Sequence, residues 1–226
     1  MPLLGSALLN VPAIARVQYV PALLSAACIA FVLLRIRTTR GAFATGIAYV
    51  AFSGLLLDYW LVPVLTTYTG GSWLLAVGCY LVSWALLAPF FGLQFVLFTA
   101  LRHRHSSLSA TVRNAALFAA TWVAFEWLRG WLFSAVPFMG YAWGTALAEN
   151  TLLLQPASFG GVYALSFLLI FPAWFIAAAW QQKSWRLALV APVLLLLQFA
   201  GGWALFRAAE ARAAGRPVFD AALVQT

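Results

Sequence analysis

The run Trp73–Leu101 (WLLAVGCYLVSWALLAPFFGLQFVLFTAL), followed directly by Arg102-His103-Arg104-His105, decides the fold class of this chain. An α-helix needs about 20 apolar residues to cross the hydrocarbon core of a bilayer. The run is longer than that and carries no charged residue, so it can cross with a tilt. The basic cluster at its end is typical of a loop that stays on the cytoplasmic side.

The composition of the whole chain also indicates a membrane protein. Of 226 residues, 65% are hydrophobic and 8% are charged, against about 25% charged residues in a soluble domain. Eleven Trp and seven Tyr fit this class, because their amphipathic rings collect at the membrane–water interface. The net charge of +8 comes from short clusters between apolar runs and not from one basic face, which excludes a nucleic-acid site.

Apolar runs that approach or exceed the length of a span recur along the chain. They are Val20–Ile36, Ala42–Leu65, Trp73–Leu101, Ala115–Leu128, Phe159–Trp180 and Leu187–Phe206. An earlier stretch, Pro2–Ala15, is interrupted at Asn10 and Pro12 and is short for a span. We interpret it as a short or broken first helix, or as a helix whose beginning is missing. The predicted fold is all-α, a polytopic transmembrane bundle of six to seven spans.

The distribution of Lys and Arg between the spans predicts the orientation. Loops 35–40, 102–113 and 181–186 hold three, three and two basic residues, whereas loop 66–72 holds none. Basic loops remain in the cytoplasm, so loop 66–72, the connection 129–158 and the C-terminal tail are predicted outside. Three arginines in the tail (Arg207, Arg212 and Arg216) count against this orientation, but the rule weakens where a tail leads to a translocated domain.

The connection 129–158 is apolar and aromatic, but Gly130, Pro137, Gly140 and Gly144 interrupt it. A regular span is therefore excluded, and open backbone in lipid is costly unless protein buries it. The segment is predicted to lie at the interface or to dip into the protein. Two interpretations remain open, an aromatic belt and a platform where lipid tails or a lipidated substrate enter from the bilayer.

Charged residues near the predicted outer end of the spans are the candidates for function. Glu126 and Arg129 are three residues apart, so on a helix they share one face and can pair. They form either an interfacial ion pair flanked by Trp anchors, or a group that holds a lipid headgroup or positions the following loop. Asp58 lies within an apolar run, where an acid serves either function or local hydrogen bonding. No metal-ligand cluster or cofactor fingerprint is found, and none is predicted.

The end of the chain changes character. Residues 207–217 are polar and helix-like, and residues 218–226 (VFDAALVQT) have the pattern of a β-strand. A single strand has no independent stability. The predicted domains are therefore a transmembrane helical domain over 1–206 and, over 207–226, a linker and the first strand of an extracytoplasmic domain.

Several motifs resemble the apolipoprotein N-acyltransferases of the bacterial inner membrane. The motifs in chain order are Asp58-Tyr59-Trp60, Leu65–Gly70, Glu126–Phe133, Val136-Pro137-Phe138, Gly140-Tyr141, Leu154–Ser158, Gly160–Tyr163, Leu165–Leu168 and Ala222–Thr226. The most specific stretch is Glu126–Tyr141. Where the family has Phe-Pro-Trp, this chain reads Val136-Pro137-Phe138, and the last motif is similar to the first strand of the family's α/β nitrilase-like domain.

The resemblance implies a reaction in lipoprotein maturation. An acyl chain passes from a phospholipid donor to a cysteine, and then to the N-terminal amine of a diacylglyceryl prolipoprotein. A Glu–Lys–Cys triad in the nitrilase-like domain performs this transfer, and the chain offers no positions for it, so no catalytic residue is assigned. The chain alone is expected to be inactive, a truncated or split membrane domain that acts with a separate nitrilase-like domain. The residues expected to contact lipid or lipoprotein are Glu126, Arg129, Trp131, Pro137, Phe138 and Tyr141.

A second hypothesis belongs to another class of protein. Similar membrane domains accompany polyprenol-phosphate mannose synthases, so the chain could instead be a non-catalytic scaffold for a partner enzyme. A transporter is disfavoured, because only the segment 129–158 is broken and charges near the bilayer midplane are not evident.

Overall fold

The computed structural model describes residues 2–104, 107–134 and 140–214. These residues form α1 (Pro2–Asn10), α2 (Tyr19–Arg35), α3 (Thr39–Leu57), α4 (Leu61–Tyr68), α5 (Trp73–Leu101), α6 (Leu108–Leu132), α7 (Thr151–Leu154), α8 (Ala157–Gln182) and α9 (Trp185–Ala213). A π-helical turn over Val11–Ala15 continues α1, and a 3-10 helix over Trp143–Glu149 precedes α7. No strand occurs within these ranges, which confirms the all-α prediction for them.

Four helices are long and apolar enough to cross a membrane, namely α3, α5, α8 and α9. Helix α6 has 25 residues, but Arg113, Glu126 and Arg129 lower its hydropathy. The helices Pro2–Ala15 and Tyr19–Arg35 are apolar and shorter. The chain is therefore a multi-pass membrane protein, whereas the count of six to seven spans remains a prediction.

The single span predicted over Ala42–Leu65 was wrong. Helix α3 ends at Leu57, and a separate short helix begins at Leu61. Pro63 favours the break, because its ring would clash with the carbonyl of the residue four positions earlier in a continuous helix. A proline alone does not end a helix here, since α5, α8 and α9 each contain one. In α4 the proline stands in the first turn, where its missing N–H costs no helical hydrogen bond.

Four of the long helices have a hydroxyl side chain at the N-cap position. The side-chain oxygens of Thr38, Ser72, Ser107 and Ser184 accept hydrogen bonds from the first turns of α3, α5, α6 and α9. Such caps satisfy backbone N–H groups that have no partner inside the helix. Each cap follows a loop, so the sequence marks these four starts locally.

Glycines allow α3 and α5 to pack with their backbones in contact. A Cβ on Gly46 would lie 2.5 Å from the backbone of Phe91 and Gly92, and a Cβ on Gly54 would lie 2.7 Å from the Trp84 ring. Small residues at helix contacts are the usual basis of association in membranes, where lipid is as apolar as leucine. The Tyr80 hydroxyl also donates to the Gly54 carbonyl at 2.7 Å, which adds a polar link between the two helices.

Aromatic side chains fill the centre of the bundle. Trp122 of α6 packs against Tyr49 of α3 and against Phe91 and Phe95 of α5, with ring centroids 6.2–6.4 Å apart. Helix α9 is peripheral, and of its residues only Leu187, Ala191 and Gly202 are buried. It continues past residue 206 to Ala213, and the strand predicted at 218–226 lies outside the described residues.

Helix directions place two features at opposite ends of the bundle. The basic end carries the loops with Arg37, Arg102 and Lys183, where α2, α5 and α8 finish. The aromatic end carries the last turns of α6 and the segment 140–154, because α6 runs back from the basic end.

Candidate functional site

Two charged side chains are buried together near the end of α6. Glu126 is 1% exposed and Arg129 is 2% exposed. They share one face, as their spacing predicts, but their charged atoms form no ion pair within 4.0 Å. The interfacial ion pair considered from the sequence is therefore absent, and each side chain has other partners.

Glu126 fixes the backbone that re-enters the protein after α6. Its Oε1 accepts a hydrogen bond from the Trp122 indole Nε1 at 3.0 Å and another from the Trp143 backbone N–H at 2.8 Å. The two indole rings pack at a centroid distance of 4.8 Å. Its Oε2 is buried and has no hydrogen-bond partner within the described ranges.

Arg129 binds the same stretch of backbone at Tyr141, two residues before Trp143. Its guanidinium donates to the Tyr141 carbonyl at 2.7 Å and lies over the Tyr141 and Phe91 rings, 5.0 and 5.1 Å from their centroids. A cation over an aromatic face gains most when water is excluded. Glu126 and Arg129 thus position the loop that follows their helix, one of the roles considered for them.

Residues 141–154 form a re-entrant segment, which turns back into the protein after α6. This is one of the two locations predicted for the connection 129–158. Trp143, Gly144 and Leu147 are buried, and the Gly144 N–H donates to the Ser166 hydroxyl of α8 at 2.8 Å. A Cβ on Gly144 would lie 2.3 Å from the Val162 carbonyl, so only glycine fits. Protein groups satisfy this irregular backbone, which lipid could not do.

A chain of buried polar side chains lies next to this site. The Asn10 amide donates to the Tyr49 hydroxyl at 3.0 Å, and the Asn10 carbonyl oxygen accepts from the Ser25 hydroxyl at 2.6 Å. The Ser6 and Ser25 hydroxyls are 2.8 Å apart. In the sequence, Asn10 interrupts an apolar stretch. Because a polar side chain inside a membrane is costly, Asn10 could have been selected from the sequence as a functional candidate. Its hydrogen-bond partners could not have been predicted.

Of the four other predicted site residues, one lies in the buried cluster with Glu126 and Arg129. Trp131 is 65% exposed and points away from Glu126 and Arg129. Tyr141 is half-buried and belongs to the cluster. Pro137 and Phe138 lie outside the described residues. The structure therefore brings together three of the six, Glu126, Arg129 and Tyr141.

Asp58 stands at the break between α3 and α4 and is 7% exposed. Its backbone N–H donates to the Gly54 carbonyl, and its own carbonyl accepts from the Leu61 N–H. No hydrogen bond joins its carboxylate to another described residue. Within the same ranges, no three His, Cys, Asp or Glu side chains are grouped so that they could hold a metal ion.

The fold and the buried polar centre define the class of this molecule, a multi-pass α-helical membrane domain with a re-entrant aromatic segment. The chain belongs to the apolipoprotein N-acyltransferase family, because residues 6–175 match the model of the apolipoprotein N-acyltransferase N-terminal domain. The resemblance inferred from the motifs is thereby confirmed.

Individual relatives agree with the family match. The chain is 33% identical to the apolipoprotein N-acyltransferase of Bordetella bronchiseptica over 220 residues, covering 85% of the chain and 39% of the relative. It is 34% identical to that of Pseudomonas putida over 166 residues, covering 73% and 32%. The value for Rickettsia typhi is 26% over 161 residues, covering 69% and 29%. The chain thus spans about two fifths or less of the length of these relatives.

Proposed function

We propose that this chain is the membrane domain of an enzyme that N-acylates lipoproteins in the bacterial inner membrane. In this proposal, a cysteine of a nitrilase-like domain takes an acyl chain from a phospholipid ester, forming a thioester and releasing a lysophospholipid. The N-terminal amine of a diacylglyceryl lipoprotein then attacks the thioester, forming an amide and freeing the thiol. Splitting the transfer into two steps is ordinary covalent catalysis.

The buried Glu126–Arg129 cluster is the observation that carries this proposal. It holds the re-entrant segment at the aromatic end, where the exposed Trp127 and Trp131 face the surroundings. Tryptophan is favoured at the membrane interface. We infer that this end admits lipid tails laterally, and we keep Pro137 and Phe138, outside the described residues, as proposed contacts of lipid or lipoprotein on the sequence resemblance alone.

The charge pattern supports an orientation for this proposal. In this orientation the basic end of the helix bundle faces the cytoplasm. The aromatic end and the C-terminal tail face the periplasm, where lipoproteins mature. Six to seven spans cross the membrane in this arrangement, with α6 and α2 counted beside the four most apolar helices.

Complementation tests the proposed function. Residues 1–226 are expressed alone, and together with a nitrilase-like domain, in cells depleted of their own N-acyltransferase, and lipoprotein N-termini are read by mass spectrometry. We expect N-acylated lipoproteins only when both parts are present. Acylation by residues 1–226 alone would overturn the assignment of the chemistry to the nitrilase-like domain. Unacylated N-termini in both arms, with both proteins in the membrane, would favour the scaffold hypothesis instead.

A further inference from the structure

A second site lies at the basic end, far from the Glu126–Arg129 cluster. A cavity of about 400 Å³ opens where the loops after α2, α5 and α8 meet, lined chiefly by Arg37, Arg102, Arg104 and Gln181. Nothing in the proposed acyl transfer uses these residues.

Hydrogen bonds to other elements hold the cavity walls in place. The Arg102 guanidinium donates to the carbonyls of Leu33 and Ile36 at the end of α2. The Asn114 side chain of α6 accepts from the His103 N–H and donates to the His103 carbonyl, both at 2.8 Å. The start of the loop after α5, at Arg102 and His103, is therefore tied to α2 and α6.

Within residues 2–104, 107–134 and 140–214, no acidic side chain forms an ion pair with the cations of the cavity. The five acidic residues of the chain are Asp58, Glu126, Glu149, Glu210 and Asp220, and none belongs to the three loops. Arg104 donates to the Arg37 carbonyl at 3.1 Å, whereas the Arg37 guanidinium has no hydrogen-bond partner in the described part of the chain. Both side chains are exposed. Each guanidinium has five N–H donors, so most of them are free for an anion.

An apolar groove begins one helical turn from this cavity. It has a volume of about 370 Å³ and lies among α1, α2 and α8. Its lining includes Pro2 and Leu9 of α1, Leu24, Cys28 and Phe31 of α2, and Trp180 of α8. From Leu34, which lines the cavity, to Leu24 the helix rises roughly 15 Å at about 1.5 Å per residue. This matches one leaflet, roughly half of the 30 Å hydrocarbon core.

We propose that the cavity and the groove together bind one anionic phospholipid of the leaflet at the basic end. Its phosphate pairs with the guanidinium groups of Arg37 and Arg104, and one acyl chain lies in the groove among α1, α2 and α8. Arginine suits this role because its planar fork can hold two phosphate oxygens at once. Basic pockets between helices on the cytoplasmic side are a recognised form of lipid headgroup site.

Native mass spectrometry of the purified chain with phosphatidylglycerol tests the headgroup contact. The site variant R37Q/R104Q is compared with R113Q/R186Q, which removes the same charge from exposed arginines outside the cavity. We expect the site variant to bind phosphatidylglycerol tenfold or more weakly, because charge-assisted hydrogen bonds are lost, and the control to change by less than about threefold. Equal losses in both variants, or none in either, would overturn the proposal.

Two further measurements test the lipid and its chain. Phosphatidylcholine should bind more weakly than phosphatidylglycerol, and equal or tighter binding would contradict a site for an anionic lipid. Millimolar inorganic phosphate should not displace the lipid, and displacement would contradict a phospholipid site. Cys28→Phe fills the groove, whereas Cys79→Phe adds the same bulk at an exposed position outside it. Only the first should weaken binding. Equal binding by both variants would show that the acyl chain does not lie in the groove. Because acyl transfer enters none of these measurements, their outcome is separate from that of the proposed function.

Discussion

Replacing Glu126 shows whether the carboxylate acts as a hydrogen-bond acceptor or as a negative charge. Its Oε1 accepts from the Trp122 indole and from the Trp143 backbone N–H, and both donors are buried. Glu126→Ala leaves both donors without an acceptor, at about 1–3 kcal/mol each, so we expect a loss of about 2–6 kcal/mol in the free energy of unfolding. Glu126→Gln retains an oxygen at the same position.

The glutamine variant is expected to be clearly milder. A neutral amide makes weaker hydrogen bonds than a carboxylate, by about 1 kcal/mol each, which gives a loss of about 1–2 kcal/mol. The assay is reversible unfolding in mixed detergent micelles, followed by far-ultraviolet circular dichroism. Glu210→Gln is the control, because it removes a negative charge from an exposed pair with Arg207, where such pairs contribute about 0–1 kcal/mol.

One result would refute this reasoning. If Glu126→Gln destabilises the protein as much as Glu126→Ala, the acceptor role does not account for the stability, and the negative charge beside Arg129 does. The lipoprotein assay adds a functional measurement. We expect N-acylation, in the presence of the nitrilase-like domain, to fall more with alanine than with glutamine, because the re-entrant segment is released only by alanine.

Three other substitutions test the packing and the aromatic end. Gly46→Ala should strongly reduce the yield of folded protein because its Cβ meets the α5 backbone, whereas Gly78→Ala in open space should not; equal yields would contradict the close packing. Asn10→Ala should cost about 1 kcal/mol in the free energy of unfolding, because it removes the hydrogen bonds to Tyr49 and Ser25; a neutral result would show that this chain of polar groups contributes nothing. Trp131→Ala should leave stability within about 0.5 kcal/mol because the ring is exposed, yet lower N-acylation in cells; unchanged acylation would remove Trp131 from the proposed lipid surface.

The helical spacing of the candidate residues was readable in advance, but not all of their partners were. Glu126 and Arg129 were found because they are charged residues in an apolar run, and they do share a face. Trp131 follows Arg129 by two positions, so helical periodicity turns it to the opposite side, and it is exposed. Trp122 lies four residues before Glu126 on the same helix, so the helical spacing also places it on the Glu126 face. Trp143 could not be identified as a partner, because it lies 17 residues after Glu126 and reaches the carboxylate only through tertiary packing.

The break in the run Ala42–Leu65 shows a different kind of failure. Hydropathy continues through residues 58–65, so a search for apolar length joins two helices into one. Pro63 is a local signal that favours a helix end before it, but α5, α8 and α9 continue through their prolines, so the signal does not decide the break by itself. Asn10 is a different case: the α-helix ends there, but the chain stays helical as a π-helical turn over Val11–Ala15. The Asn10 amide is satisfied by Tyr49 and Ser25.

Apolar runs and motifs were enough to identify a multi-pass helical membrane protein and the family to which it belongs. Apolar length and motif order are properties of the chain read locally, so they need no knowledge of packing. Tertiary packing was needed to find that Glu126 and Arg129 hold a re-entrant segment without pairing, and that the loops after α2 and α5 line one cavity with the end of α8. Those facts depend on how helices approach and how loops turn, because hydrogen bonds join groups that are distant in the sequence.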